Sequence, residues 1–319
     1  MTDPSSFASL AELTDSLLAR TRAITGEEPE DARKLRLGLL DDRAGAYGQY
    51  FGTWDIAAGM LRDFSMYTLY PLVRMARAPG GLSQPNMLDE LLPPYTNYLG
   101  YSGFPELEAY GDALRRLVGQ GGGAGGEALE PAVSAYFAYA NRLYAWVYHY
   151  FPWNMGEHFR YPDAPPEAGA GSGAADLKPS DTLVRLTWEP LGVSVRAWLA
   201  VDGNPELCQD LLDVLPFTVL QDHPMVTGES IFAWTPMTST APIHLREEIL
   251  SAPIGRLRYS QRTGQKLIVQ YGETKETIMG PVLGSVLEED MEKIPAVGRA
   301  VWDSTYQTKE PIWLTVERC

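Results

Sequence analysis

The chain has 319 residues, of which 45% are hydrophobic and 21% charged, and this length and composition predict two domains with sizeable cores. The formal net charge at pH 7 is −15, from 26 Lys and Arg residues and 41 Asp and Glu residues. Such a charge repels nucleic-acid phosphates and anionic lipids, so we expect neither nucleic acid nor a membrane surface as a partner.

Targeting signals and disulfides are not expected either. The acidic N-terminal stretch lacks the basic segment and apolar run of a signal peptide, and no apolar run reaches the length that spans a bilayer. The two cysteines, Cys208 and Cys319, do not suggest a disulfide framework. The sequence therefore predicts a protein of the reducing cytoplasm.

The first half of the chain shows apolar residues at helical spacing. One set starts at Leu10, and a second extends from Leu61 to a helix end near Arg77. A third helix is predicted from Glu130 to about Phe151 and is unusually aromatic. Its aromatic residues are Tyr136, Phe137, Tyr139, Tyr144, Trp146, Tyr148, Tyr150 and Phe151. One buried face does not need so many rings, so some are expected to face a second surface or a ligand.

Two stretches rich in small residues divide the chain. Residues 119–126 (GQGGGAGG) lack the Gly-Lys-Ser/Thr of a phosphate-binding loop, so they predict a flexible loop. Residues 162–180 are rich in Pro, Ala and Gly, as linkers are. We therefore predict a helical, aromatic-rich domain at 1–165, a linker at 166–179 and a β domain at 180–319.

Beyond the linker the apolar pattern changes to the short alternation of strands. Residues 182–188 and 193–200 predict a hairpin, and Asn204–Leu215 predicts a helix with Asn204 as its N-cap. A second helix is predicted from Glu288 to Val301, where the acidic first turn suits the helix dipole. Further strands are predicted at Ser230–Trp234, Arg256–Tyr259, Lys266–Tyr271, Val282–Val286 and Ile312–Glu317.

Several chemistries lack their motifs in this sequence. There is no paired CxxC, no HExxH and no GxGxxG after a strand, and Gly100–Gly103 is one residue short of the GxSxG nucleophile elbow. The four histidines show no metal-ligand spacing: His149, His158, His223 and His244. We therefore expect no metal and no organic cofactor.

The order of motifs after the linker resembles the cyclophilin-like fold. A helix ends in Leu215-Pro216, a Thr227-Gly228-Glu229 turn leads into a strand, and Tyr271-Gly272 and Gly280-Pro281 come later. The Arg and Phe pattern of prolyl isomerases is not found. The chain is more similar to uncharacterised bacterial cyclophilin-like proteins and to cucumopine synthase.

The helical half carries a second resemblance. Tyr139–Leu143 and Tyr148–Gly156 look like the helical domain that accompanies the barrel in cucumopine synthase. The bacterial Pictet–Spenglerases that form β-carbolines have a similar two-part build. In cucumopine synthase the helical part follows the barrel, whereas here it precedes the predicted β domain.

The resemblance implies an α+β protein, with an N-terminal helical domain followed by a cyclophilin-like closed β-barrel domain. It also implies a cofactor-free Pictet–Spengler condensation in the specialised metabolism of alkaloids. Tryptophan or histidine would join an aldehyde or 2-oxo acid through an iminium ion, and ring closure would give a tetrahydro-β-carboline or a related heterocycle. The expected partners are these two small molecules and, in a homodimer, a second copy of the chain.

That chemistry needs a carboxylate that moves protons in a partly desolvated pocket, because burial raises the pKa of a carboxyl group. Glu229 is the first catalytic candidate, since it follows Gly228 in a turn and precedes an apolar strand, although a solvated turn residue has the same pattern. Glu273 is the second, although its neighbours also suit an exposed loop. His223 is a candidate proton relay, although a capping or exposed histidine fits as well.

Substrate binding would need aromatic faces for the iminium ion and an arginine for the substrate carboxylate. Arg142 is the candidate arginine, because it interrupts the aromatic helix, although an arginine there could also extend to solvent. Thr238 lies in a Ser- and Thr-rich segment that could hydrogen-bond a carbonyl substrate. The candidate rings, each of which could instead belong to a core, are Tyr148, Trp153, Trp234 and Tyr271.

Two other functions remain open on the sequence. A non-catalytic cyclophilin-like module would bind a small ligand with the same rings but without turnover. A hydrolase or isomerase on the same barrel would consume its substrate without an amine partner.

Overall fold

The computed structural model divides the chain into two compact units, Met1–Phe151 and Pro152–Cys319. It describes residues 6–40, 53–82, 86–120, 128–152 and 177–319. Most of the predicted linker and most of the predicted Gly-rich loop lie outside these residues, so both stay predictions. In the described part of the chain, no helix combines the length and the apolar character needed to cross a membrane.

The described residues of the first unit form helices and connecting turns. Ser9 caps the first helix, because its side chain accepts a hydrogen bond from the N–H of Glu12. A π-helical segment, Phe64–Leu69, joins the helix that ends at Asp63 to the helix that begins at Tyr70. The second of these ends at Arg77, as predicted. The helices are α1 (Leu10–Ala23), α2 (Glu30–Leu37), α3 (Trp54–Asp63), α4 (Tyr70–Arg77), α5 (Met87–Leu91), α6 (Pro93–Tyr101), α7 (Pro105–Gly119) and α8 (Leu129–His149).

The aromatic helix α8 is buried on all sides over most of its length, as a central helix of a bundle is. Tyr136 donates a hydrogen bond from its hydroxyl to the carbonyl of Leu107 at 2.8 Å, and Trp146 donates from Nε1 to the carbonyl of Ile24 at 2.6 Å. These bonds tie α8 to α7 and to the end of α1. Tyr and Trp rings can be buried stably here because their polar atoms form hydrogen bonds.

The second unit is a closed antiparallel β-barrel of eight strands with a ninth strand at one edge. Its strands are β1 (Leu183–Trp188), β2 (Val193–Leu199), β3 (Phe217–Asp222), β4 (Gly228–Trp234), β5 (Arg246–Glu248), β6 (Arg256–Ser260), β7 (Lys266–Thr274), β8 (Met279–Val286) and β9 (Ile312–Arg318). The strand order is β2-β1-β9-β3-β4-β7-β6-β8-β5, and β2 also pairs with β8 to close the barrel. The predicted α+β class, with a helical part first and a closed barrel after it, is confirmed.

Alternation of side chains along each strand separates the barrel core from an outer face. On β4, Ile231 and Ala233 belong to the core, so Phe232 and Trp234 lie on the outer face. On β7, Leu267, Val269 and Tyr271 are core residues. Lys266 and Ile268 alternate with them and therefore share the outer face with Phe232 and Trp234.

One cross-strand row on the outer face has a charged residue at each end. Asp222 of β3 pairs with Phe232, and Phe232 pairs with Ile268 of β7. Ile268 in turn pairs with Arg258 of β6. Three strand spacings separate Asp222 from Arg258, so their backbones lie about 14 Å apart.

Two helices pack against the barrel core. The first, α9 (Pro205–Asp213), begins after Asn204 as predicted, but the Asn204 side chain does not cap it. That side chain instead donates hydrogen bonds to the carbonyls of Leu245 and Val282. The second helix, α10 (Ile294–Asp303), is followed by a π-helical segment, Ser304–Thr308.

The predicted hairpin, the first predicted helix and the five further predicted strands of the barrel unit are confirmed within a few residues. The second predicted helix starts as a 3-10 segment, Glu288–Lys293, and is α-helical only from Ile294. Two strands were not predicted, β3 and β5. The Leu215-Pro216 pair ends the α9 region, and no element was predicted for Phe217 to Asp222. The alternation of Phe217, Val219 and Gln221 was the signal available for β3.

Candidate active site

A buried histidine–tyrosine pair lies where β3 and β7 meet the end of α10. The Nδ1 atom of His223 is 2.9 Å from the carbonyl oxygen of Pro224, which can only accept, so Nδ1 carries the proton. The neutral ring then accepts at Nε2 the hydrogen bond that the Tyr271 hydroxyl donates at 2.8 Å. Burial lowers the pKa of His223 to about 3, so the ring is neutral at physiological pH.

The segment after α10 fixes the backbone of His223. The hydroxyl of Thr305 accepts the N–H of His223 at 3.0 Å, and the hydroxyl of Tyr306 donates to its carbonyl at 3.0 Å. On the other side of the pair, a Cβ at Gly298 would overlap the Tyr271 ring. Helix α10 therefore packs directly on the tyrosine, which requires glycine at that position.

Glu229 lies at a β-bulge between β4 and β7. Its Oε2 atom accepts the backbone N–H of Glu273 at 2.9 Å. A Cβ at Gly272 would overlap the same carboxylate, so the Glu229 side chain lies over Gly272, the residue next to Tyr271. Glu229 is half-buried, whereas the side chain of Glu273 is exposed.

The structure therefore brings four of the predicted residues into one region: His223, Glu229, Tyr271 and Glu273. Glu273 contributes its backbone N–H to the carboxylate of Glu229. Whether any of the four acts in catalysis stays a proposal.

A lysine lies against two aromatic rings on the outer face. Its nitrogen, Lys266 Nζ, is 4.3 Å from the centre of the Phe232 ring and 4.5 Å from that of Trp234. The two rings meet edge to face, with their centres 4.7 Å apart. Burial lowers the pKa of Lys266 to about 7, although the negative charge of Asp222 acts in the opposite direction.

Two arginines lie farther along the outer face, on β6. Arg256 forms a buried ion pair with Glu247, with 2.7 Å between Nε and Oε1. Arg258 is 2% exposed, and within the described residues none of its three guanidinium nitrogens has a hydrogen-bond partner. Burial lowers the pKa of Arg258 to about 10, so it remains a cation at neutral pH.

The other predicted substrate-binding residues lie apart in the chain. Arg142 and Tyr148 are buried in α8, and burial lowers the pKa of Arg142 to about 10. Thr238 is half-buried in the segment after β4, and Trp153 lies outside the described residues. Their predicted roles stay predictions.

A cavity in the helical unit contains none of the predicted site residues. Its volume is about 580 Å³, and it opens between α5 and α7. Its lining residues are Asp89, Ala109, Asp112, Ala113, Arg115, Arg116 and Gly119. Among the described residues, no group of three or more His, Cys, Asp and Glu side chains could hold a metal ion.

Sequence reasoning missed three charged residues of this region: Asp222, Lys266 and Arg258. Each stands on the outer face of a strand whose other face is core. A charged residue at an alternate position of a core strand usually points to solvent, so the pattern alone gave no sign of burial. The signal that could have found Asp222 was its position at the end of β3, next to His223.

A family model matches the helical unit of the chain. Residues 10–150 match the sequence model of the cucumopine synthase C-terminal helical bundle domain. No curated protein matches the chain in a sequence comparison.

Two solved structures show partial similarity. The structure of McbB in complex with tryptophan is 30% identical over 42% of this chain and 44% of that chain, with a TM-score of 0.39. The solution structure of the hypothetical protein AF2241 from Archaeoglobus fulgidus is 14% identical over 46% of this chain and 100% of that chain, with a TM-score of 0.31. The chain therefore spans less than half of the McbB chain.

The family match coincides with the helical unit. It begins at the first residue of α1 and ends one residue after α8. The helical unit of this chain is therefore similar to the cucumopine synthase C-terminal helical bundle domain over residues 10–150.

Proposed function

We propose that this protein catalyses a Pictet–Spengler-type condensation of an aromatic amino acid, or histidine, with an aldehyde or 2-oxo acid. The family of the helical unit supports a condensation of this class. The observation that carries the proposal is the position of the Glu229 carboxylate, which the Glu273 N–H holds over Gly272, the residue after Tyr271.

The reaction consists of proton transfers around two bond-forming steps. The substrate amine attacks the carbonyl carbon, and the resulting hemiaminal loses water to give an iminium ion. A ring carbon of the amino acid then attacks the iminium carbon, and the ring loses a proton to regain its aromaticity. The product contains all atoms of both substrates except one water molecule.

Glu229 is proposed to carry these protons. A carboxylate accepts the proton of the substrate ammonium, and the carboxylic acid can then protonate the departing hydroxyl of the hemiaminal. The same carboxylate accepts the ring proton after closure. The hydrogen bond from the Glu273 N–H and the close approach to Gly272 hold the group in one position, which such repeated transfers require.

The His223–Tyr271 pair is proposed to position groups rather than to titrate. Because the Tyr271 hydroxyl proton is directed to Nε2 of His223, the tyrosine oxygen can only accept a further hydrogen bond. Such an acceptor suits a substrate ammonium or hemiaminal hydroxyl.

The aromatic and cationic residues suit the rest of the substrate. Rings such as Trp234 would stack on a flat amino acid and stabilise a nearby iminium ion. The buried guanidinium of Arg258 would bind a substrate carboxylate. Tryptophan is the amino acid in the McbB complex, so it is the first to test here.

Mass spectrometry of product formation tests the proposal. The purified full-length protein is incubated with tryptophan or histidine and a panel of aldehydes and 2-oxo acids. A single enantiomer at the summed mass of two substrates less one water would support a catalysed condensation. No product above the uncatalysed background across the panel would contradict it, and ligand binding by thermal shift in that case would favour the binding module.

A further inference from the structure

Arg258 is a buried cation that lacks a partner. It is 2% exposed, and within the described ranges neither Nε nor either terminal nitrogen forms a hydrogen bond. The buried carboxylate of Glu247, whose charge acts on Arg258, is already paired with Arg256 at 2.7 Å. These two guanidinium groups and one carboxylate leave a net charge of +1 on the outer face. Because a buried cation without hydrogen-bond partners is costly, this cluster is suited to binding an anion.

Two further polar groups on the same face lack partners. Ser230 and Gln270 stand opposite each other on β4 and β7, and both are buried. In the part of the chain that the structure describes, neither the Ser230 hydroxyl nor Oε1 of Gln270 has a hydrogen-bond partner. The Gln270 amide nitrogen donates to the carbonyls of Ala252 and Gly272, at 2.7 and 3.1 Å. Both amide protons are therefore used, and the amide oxygen is left as an acceptor.

Strand β7 connects these groups to the Glu229 carboxylate. Leu267, Val269 and Tyr271 face the core, so Ile268, Gln270 and Gly272 follow one another on the outer face. Arg258 stands opposite Ile268, and the Glu229 carboxylate lies over Gly272. Successive residues on one face of a strand are about 7 Å apart, so Gln270 lies between the arginine and the carboxylate. Ile268 is only half-buried, so this face is open to solvent next to Arg258.

We propose that these groups bind the zwitterion of an α-amino acid, with its carboxylate on Arg258 and its ammonium between Gln270 Oε1 and the Glu229 carboxylate. The choice of substrate rests on the proposed function, but binding itself requires no second substrate. A guanidinium matches a carboxylate through two parallel hydrogen bonds. A 2-oxo acid also has a carboxylate, but only the amino acid supplies the donor that the Gln270 oxygen lacks.

An amine without a carboxylate should therefore be rejected. A site built around polar groups discriminates strongly against an analogue that leaves one of them unpaired. Tryptamine and histamine are the analogues of tryptophan and histidine without the carboxylate. We expect each amino acid that binds to bind at least about a hundredfold more tightly than its amine. Indole-3-propionate, which has the carboxylate but no ammonium, should bind at least about tenfold more weakly than tryptophan.

A variant separates a binding role of Arg258 from a structural one. Arg258→Met removes the guanidinium and keeps an unbranched apolar chain. Because the guanidinium has no partner in the free protein, we expect an unchanged or higher melting temperature, whereas an arginine that stabilises the fold would give a lower one. Affinity for the amino acid should fall about a hundredfold. The matched control is Arg185→Met on β1, an exposed arginine paired with Glu317, which should bind as the unaltered protein does.

Isothermal titration calorimetry of the full-length protein at pH 7 measures these affinities. The ligands are tryptophan, histidine, their two amines, indole-3-propionate and pyruvate, each added alone. Binding of an amino acid that is lost in Arg258→Met, with no comparable binding of its amine, supports the proposal. It is overturned if neither amino acid binds, if an amine binds as tightly as its amino acid, or if Arg258→Met weakens pyruvate and not the amino acid. If Arg258→Met does not fold, the comparison of amino acid and amine on the unaltered protein still decides.

The outcomes also distinguish this site from the proposed function. Amino-acid binding through Arg258 without condensation product from any carbonyl compound would support the site and contradict the Pictet–Spengler assignment. Condensation of tryptamine as fast as that of tryptophan would overturn the site and leave the condensation standing.

Discussion

Burial of His223 has a cost in stability that depends on pH. Its pKa is lowered from 6.5 to about 3 in the folded protein, chiefly by desolvation. Between these values the unfolded chain binds more protons than the folded one, so the stability falls as the pH drops below 6.5. The loss is complete below about pH 3.

A His223→Gln variant tests this assignment. Glutamine can donate and accept hydrogen bonds but does not titrate, so the variant should lack this source of pH dependence. From pH 7 to pH 5, the free energy of unfolding of the unaltered protein should fall by about 2 kcal/mol more than that of the variant. Urea unfolding of both proteins measures the difference, and equal losses would show that His223 is not buried as a neutral ring.

Gly272 offers a way to move the Glu229 carboxylate without altering it. In Gly272→Ala the new Cβ would overlap Oε2, which is the mobile end of a flexible side chain. We expect the carboxylate to swing aside, so that the kcat of condensation falls while the melting temperature changes little. An unchanged kcat would argue against catalysis by Glu229 in its observed position.

The sequence was sufficient to identify candidate site residues in turn segments, but not charged residues on the outer faces of strands. Glu229, Tyr271 and His223 stand in recognisable Gly- and Pro-containing segments, and the structure places them in one region. Lys266 and Asp222 lie on the outer face of core strands, where the sequence pattern is the same for a solvated and a desolvated charge. Only the fold shows that the Lys266 nitrogen lies over two rings.

Among the elements, β3 shows where prediction from local pattern stops. Its six residues follow Leu215-Pro216 directly and were not predicted as a strand, yet β3 pairs with both β4 and β9 in the barrel. Long-range pairing of this kind carries no local signature. The hairpin β1–β2 and helix α9 were predicted because their sequence signals are local.

Packing of α10 on the Tyr271 ring makes a prediction for Gly298. In a helix interior, alanine is favoured over glycine by about 1 kcal/mol. Here a Cβ would overlap a ring that is 1% exposed and cannot move aside. We therefore expect Gly298→Ala to destabilise the protein by about 1–3 kcal/mol and to lower condensation activity.

The matched control is Gly59→Ala in α3, where no atom lies within 4 Å of the new Cβ. That change should be neutral or stabilising. Thermal or urea unfolding compares the two variants, and a Gly298→Ala protein as stable as Gly59→Ala would contradict the described packing.

At the scale of the whole molecule, the order of the two parts differs from that in the family's description. The matched model describes a C-terminal helical bundle of cucumopine synthase, whereas here the bundle is at residues 10–150 and the barrel follows it. The site residues Asp222, His223, Glu229, Lys266 and Tyr271 all belong to the barrel unit. Their arrangement therefore does not depend on which unit comes first in the chain.

The central claim is that the Glu229 carboxylate carries the protons of the reaction. Replacing that carboxylate and measuring the rate tests the claim most directly. The rate of product formation from tryptophan and the accepted carbonyl compound is compared for the unaltered protein, Glu229→Gln and Glu273→Gln. We expect Glu229→Gln, folded, to be slower by about a hundredfold or more. Glu273→Gln should keep most of the rate, because its exposed carboxylate is solvated and its backbone N–H is retained. A folded Glu229→Gln protein with the full rate would contradict the account.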